Sequence, residues 1–465
     1  MKALNAIRMG NREVLPLLEG GKGVAVSDGG SAGAWAAAGG VGTVSAVNAD
    51  SYDADGQVIP QLYHGKTRRE RHEELVRYAI DGGITQVRRA HDIRGGQGRL
   101  HINVLWEMGG AERVLEGVLE GAKGLVDGVT CGAGMPYRLS EIATRHGVHY
   151  YPIISSARAF RALWKRAYNK HGEMLGGVVY EDPWLAGGHN GLSNSEDPLK
   201  PEDPYPRLAD LRKTMNEVGL NHVPVIMAGG VWCLREWEHY LDNPEIGPII
   251  FQFGTRPLLT QESPIPQAWK DRLPRLQPGD VLLHRFSPTG FYSSAVHNDF
   301  LRDLEGRSER QIAYSSSPVG EHTAALAVGA RGRAVYVTPT DKASAEAWMA
   351  AGHAEALRTP DQTLVFVAPE TANEILVDQI NCMGCLSSCR FSNWSQDDSG
   401  TTGKKADPRS FCIQKTLQDV AHGGPLDDNL MFAGHAAYRF GQDPFYSNGF
   451  VPTVRQLVER LQTGD

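Results

Sequence analysis

Two runs, Pro224-Val225-Ile226-Met227-Ala228-Gly229-Gly230-Val231 and Pro248-Ile249-Ile250-Phe251-Gln252-Phe253-Gly254-Thr255, constrain this chain more than any other stretch. Each is continuous and apolar, as a strand buried on both faces must be, and each breaks abruptly into glycine. Glycine at the carboxyl end of a strand lets the backbone approach a ligand and aim its N–H groups at it. Two such strands in succession, with a helical segment between them, make a phosphate cradle. That is the arrangement expected after the seventh and eighth strands of a (β/α)8 barrel. One Gly-Gly alone would read as an ordinary strand-to-loop turn. Two in tandem, closing a long α/β pattern, predict a phosphate on Gly229, Gly230, Gly254 and Thr255.

Upstream, strand and helix signals alternate. Strands are expected at 23–27, 41–45, 100–105, 128–131, 148–154 and 175–180, and helices over 31–38, 68–81, 111–123, 137–146, 157–171 and 207–219. Repeated βα units specify a parallel sheet. With the two glycine-ended strands they predict a (β/α)8 TIM barrel over residues 1–305. An open doubly wound sheet is the alternative, because pattern alone does not show closure. Residues 306–380 predict a small inserted α/β lobe, βαβ-like, with strands at 334–338 and 363–368 around a helix at 343–356. Residues 381–465 predict a cysteine-bearing segment and helices that pack back on the barrel.

Charge and hydropathy exclude several classes. A net charge of −7 and a pI near 6.2 give no electrostatic reason to expect nucleic acid or an anionic membrane as partner. No apolar run is long enough to span a bilayer, and the amino terminus lacks a basic-then-apolar leader, so a cytoplasmic location is expected. Of six cysteines, Cys131 and Cys233 stand alone, whereas Cys382, Cys385, Cys389 and Cys412 crowd together. In a chain expected in the cytoplasm, such clustering argues for metal rather than for disulfides.

Active-site groups of a barrel lie at the carboxyl ends of its strands. Ser27, in Ser27-Asp28-Gly29-Gly30, and Asn103, inside the third expected strand, are polar groups at such positions. His189 sits in Ala186-Gly187-Gly188-His189-Asn190-Gly191, where flanking glycines keep the backbone slim around one imidazole. Such a ring can take or give a proton near neutrality, and His189 is the candidate catalytic residue.

The Ala186–Gly191 loop, the Ala228-Gly229-Gly230 turn, Gln252-Phe253-Gly254-Thr255-Arg256 and Glu262-Ser263 resemble, in this order, the nitronate monooxygenase (2-nitropropane dioxygenase-like) family. Asn103, the small-residue stretch 34–45, Ser287-Pro288-Thr289-Gly290 and Asn298 extend the likeness. The resemblance implies a TIM barrel with non-covalent FMN at its mouth, the phosphate on the two glycine turns and His189 beside the isoalloxazine. On this reading Ser27, Asn103, Gly187, Gly188, Gly229, Gly230, Gln252, Gly254 and Thr255 hold the cofactor. Leu185 stands where the family usually has Glu, which leaves the substrate open beyond a small organic molecule.

The Cys382-x2-Cys385-x3-Cys389 spacing, followed by Cys412, is similar to the post-barrel motif of flavin-and-iron–sulfur dienoyl reductases and trimethylamine dehydrogenases. It favours a 4Fe–4S cluster over zinc, with free thiols as the remaining alternative. The expected function is an FMN-dependent oxidoreductase whose cluster relays electrons, with a ferredoxin or NAD(P)H as candidate external donor and homo-oligomerisation open. An NAD(P)H-dependent enoyl-reductase-like flavoenzyme and a non-catalytic, zinc-stabilised barrel subunit are the alternatives.

Overall fold

The computed structural model describes residues 1–10, 12–329 and 331–465. Eight parallel strands close into a barrel: β1 (Leu17–Glu19), β2 (Val41–Ser45), β3 (Arg99–Leu105), β4 (Gly128–Gly132), β5 (His149–Ile154), β6 (Val178–Glu181), β7 (Val225–Ala228) and β8 (Ile249–Phe253). Phe251 of β8 stands opposite Leu17 of β1, and this pairing shuts the ring. The open-sheet alternative is thereby excluded.

The first strand is not where the sequence suggested. Residues 23–27 form no strand; β1 lies upstream, and 20–27 is a tight loop. Ser27 N–H donates to the Lys22 carbonyl at 2.9 Å, and Lys22 N–H donates to Ser27 Oγ at 2.9 Å. Glu19 ends the apolar run of β1 at Leu18, just ahead of Gly20-Gly21. Val24 and Val26 alternate like strand residues because the loop lies between two packing surfaces, Val24 joining the main core and Val26 a second cluster with Trp232 and Leu258.

Helix Gly29–Ala37 starts at Asp28, whose carboxylate accepts from Ser31 N–H, a standard cap for orphan amide groups. Helix Arg68–Arg94 opens on a Thr67/Glu70 capping box. It runs well past the expected end at 81, through Gly82-Gly83. A Cβ at Gly82 would stand 1.9 Å from the Ala49 carbonyl oxygen, so glycine there permits close packing and does not stop the helix.

The amino-terminal mouth is filled. The antiparallel pair Ile7–Met9 and Arg12–Val14 brings Met9 and Val14 against Leu18, Val41, Tyr151, Val179, Ile226 and Ile250, the lower layer of the barrel interior. The opposite mouth is free to hold a ligand.

The lobe after the barrel has a core of its own, with Ile312, Leu326, Val335, Val337, Leu364 and Phe366 buried together. Among the described residues it contains no βαβ unit. Arg333–Val337 pairs antiparallel with Ala324–Val328, and Thr363–Val367 lies antiparallel between Gln311–Ala313 and Glu355–Arg358. Thr338 caps the helix at Pro339, and the helix ends at Ala350, just before Gly352 with φ of +99°, early enough for Glu355–Arg358 to return as a strand. Among the described residues no helix is long and apolar enough to cross a membrane.

Candidate active site

Alternation along a strand sends every second residue inward. Val179 and Ile250 belong to the lower interior layer, and the next inward positions toward the carboxyl ends are Glu181 and Gln252. On β3, His101 packs on Tyr151 inside the barrel with ring centroids 4.3 Å apart, and Asn103 stands two residues higher. Glu181, Gln252, Asn103 and Thr130 therefore form a polar layer, and all four line one cavity at the barrel mouth. Thr130 Oγ1 donates to Asn103 Oδ1 at 3.2 Å, which fixes the amide.

Glu181 was missed by the sequence reading. Burial, with neighbouring Asp182 adding to it, pushes its carboxyl up to about 8. At neutral pH it is mostly an uncharged acid able to donate a hydrogen bond. The signal that could have found it is its spacing from Val179 on an otherwise apolar strand.

The wall after β7 and β8 is bare backbone. Gly229 and Gly230 have φ of +90° and +75°, a region side chains rarely adopt, and a Cβ at Gly230 would stand 2.7 Å from Leu185 Cδ1. Gly254 differs. It has no left-handed φ, and a Cβ there would meet no atom within 4 Å, because the position faces the open cavity. Thr255 Oγ1 accepts from Gly434 N–H at 3.0 Å and keeps its own hydroxyl proton for another partner. Backbone reaching a cavity where side chains are missing is what a phosphate requires, and the polar layer suits a heteroaromatic ring with several acceptors. The residues present fit FMN.

His189 stands on the short strand Gly188–His189, which pairs antiparallel with Ser293–Ser294. Its Nε2 is 2.7 Å from Ser287 Oγ, and the Phe432 ring meets its edge at 5.6 Å. Burial pushes the imidazole down to about 4, so the ring is neutral at physiological pH. Gly187, Gly188, Gly229, Gly230, Asn103, Gln252, Gly254, Thr255 and His189 all line the same cavity. Ser27 does not. Its hydroxyl accepts from Lys22 N–H and lies 3.3 Å from the Gly20 carbonyl, bracing the β1 loop from behind.

The carboxyl-terminal segment roofs this cavity. A Cβ at Gly187 would stand 2.6 Å from the Ala433 carbonyl carbon, and His435 N–H donates to the Leu185 carbonyl at 3.1 Å. On the far side Leu386 bridges to Met108, and Gly109 N–H donates to the Cys385 carbonyl at 2.9 Å. Helix Ile413–Ala421 contributes Ile413, Gln414, Leu417 and Val420 to the lining. Asn48 Nδ2 donates to Gln414 Oε1 at 2.6 Å, and His422 Nε2 lies 2.8 Å from Asp50 Oδ2, so the helix is tied to the loop after β2.

The His422–Asp50 tie makes the roof pH-sensitive. The hydrogen bond to Asp50 raises the His422 imidazole above its ordinary value. A raised histidine contributes stability that is complete below the unfolded pKa and is lost as pH rises through the folded one. The melting temperature of wild type should therefore exceed that of His422→Gln most at about pH 6, with the gap shrinking by about pH 8.5. A constant gap would mean that the pair is not ionic.

Of the four clustered cysteines, Cys385 lines the cavity. Burial raises the Cys385, Cys389 and Cys412 thiols, the latter two to about 11 and about 12, and neighbouring cysteines add to each shift. Cys382 Sγ accepts from Gly384 N–H at 3.4 Å and from Ser392 Oγ at 3.1 Å. Among the described residues, however, no three His, Cys, Asp or Glu side chains are close enough to hold a metal ion. A closed single-ion site is not formed.

Comparison with known proteins agrees with the barrel. The family model for nitronate monooxygenase matches residues 112–378, a span that stops short of Cys382. No curated protein matches at a significant level. Among solved structures, FabK from Thermotoga maritima superimposes with a TM-score of 0.50 at 15% identity, covering 97% of this chain and 92% of that one. The enoyl reductase domain of MlnA from Bacillus amyloliquefaciens gives 0.52 at 11% identity, over 97% and 93%. A nitroalkane oxidase from Streptomyces ansochromogenes gives 0.46 at 21%, over 62% and 78%. At these identities the first two bear on fold alone, and nothing is drawn from the third.

Proposed function

The chain belongs to the nitronate monooxygenase family and is an FMN-dependent oxidoreductase; we propose that it acts on a small organic substrate from which His189 takes a proton. The observation that carries this reading is that a neutral imidazole, a polar layer and two bare glycine turns face one cavity. FMN, when bound, supplies the electron-accepting chemistry. Gly229, Gly230, Gly254 and Thr255 would hold its phosphate, and Asn103, Glu181 and Gln252 would meet the ring. His189 has Nε2 engaged with Ser287, which leaves Nδ1 to receive the substrate's proton. The roof formed by Phe432, Ala433 and helix Ile413–Ala421 keeps bulk water from that transfer.

We also propose that Cys382, Cys385, Cys389 and Cys412 hold a 4Fe–4S cluster that relays electrons to or from the flavin, with a ferredoxin or NAD(P)H as the external redox partner. What supports a cluster over zinc is the donor set and its spacing. A cubane spreads four thiolates over its corners. Protein purified without oxygen should contain one FMN and four irons with four sulfides per chain, the iron and sulfide vanishing in Cys385→Ala (expected stoichiometry of about one cluster). One zinc and no sulfide would overturn the cluster, and no flavin would overturn the function.

A further inference from the structure

One charged pair beside the cavity has no part in the chemistry above. Glu19, the last residue of β1, is 0% exposed. Because Leu18 points into the barrel, alternation turns Glu19 outward, toward helix Gly29–Ala37. Its Oε1 accepts from Ser31 Oγ at 2.7 Å and from Lys22 Nζ at 2.9 Å, while Oε2 has no partner. Lys22, by contrast, lines the cavity. Its ammonium also donates to the Gly20 carbonyl at 3.0 Å. An ammonium carries three N–H donors, so one remains.

The loop that carries Lys22 is pressed onto the polar layer. A Cβ at Gly21 would fall 2.3 Å from Asn103 Cβ, and one at Gly20 would fall 3.0 Å from Gln252 Nε2. The loop therefore sets Lys22 close to the two amides of the cavity floor, anchored from behind by a carboxylate that solvent does not reach. Burial raises the Glu19 carboxyl, and the Lys22 ammonium and the Ser31 hydroxyl beside it work against that rise. With the anion hidden behind the wall and the cation on it, the wall presents a positive edge to whatever occupies the cavity.

We infer that Lys22 is the fixed positive group that stabilises the flavin when it is reduced. This rests on FMN occupying the cavity. An isoalloxazine that takes two electrons from the donor or substrate and one proton ends with one negative charge on the ring. A cation already in place beside it favours that state without reorganisation.

The test is an anaerobic potentiometric titration of FMN-loaded wild type, Lys22→Met, Lys22→Arg and the double variant Glu19→Gln/Lys22→Met, read at the flavin absorbance. Lys22→Met should disfavour reduction roughly tenfold, which is about 30 mV for a two-electron couple. Lys22→Arg should recover most of the loss. The double variant removes both charges, so it decides the matter should an unpaired Glu19 prevent folding, and it should match the lowered potential. Equal potentials across the set would overturn the role of Lys22 while leaving FMN in place. A wild-type chain that takes up no FMN would overturn both.

Discussion

His189→Ala should keep FMN and lose roughly 10²–10⁴ in turnover, the usual worth of a positioned acid or base. The imidazole fits a base better than an acid. Held near 4 by burial, it is already deprotonated at neutral pH, so no neighbour has to strip it first. The pH profile carries the sign. A base is active when unprotonated, so the limb due to His189 should fall on the acid side, near its depressed value, with none near the ordinary imidazole pKa of about 6.5. Loss of flavin in His189→Ala would instead assign the ring to cofactor binding, and unchanged turnover would make it structural.

Gly254→Val should leave the fold intact and weaken FMN at least about 100-fold, by denying the phosphate its charge-assisted hydrogen bonds. This position separates ligand exclusion from misfolding better than its neighbours do. Valine at Gly230 would have to adopt a φ of +75° and displace Leu185, so flavin loss there would say little about the ligand. At Gly254 the backbone accepts any residue and no protein atom lies within 4 Å of the added carbon. The added Cβ therefore intrudes on what the cavity holds before it reaches protein among the described residues. Full flavin occupancy in Gly254→Val would put the phosphate elsewhere.

Most of the barrel was legible because parallel strands buried on both faces announce themselves as apolar runs, and β7 and β8 add the glycine breaks. β1 was not, since Leu17-Leu18 is too short to stand out and the alternating Val24 and Val26 imitate a strand. The antiparallel lobe was misread although Pro360-Asp361 marks the turn between Arg358 and Thr363, because the expected helix was run on to 356, over the start of the strand Glu355–Arg358. His189 and the glycine turns were legible as local patterns. Glu181 was hidden in plain view, one carboxylate whose meaning depends on which face of β6 turns inward. The roof could not be read at all. Gly187 against Ala433 and Asn48 against Gln414 are contacts between distant parts of the chain, and no local periodicity encodes them. The same roof brings Cys385 to the cavity, so what looked like an appended segment is part of the site.

The claim on which the rest depends is that the barrel mouth takes FMN by its phosphate. Equilibrium titration of the flavin-free protein with FMN and with riboflavin, which lacks only the phosphate, tests it most directly. FMN should bind at least about 100-fold more tightly, a difference of about 2.7 kcal/mol, and Gly254→Val should abolish the difference. Equal affinity for the two flavins would contradict the account.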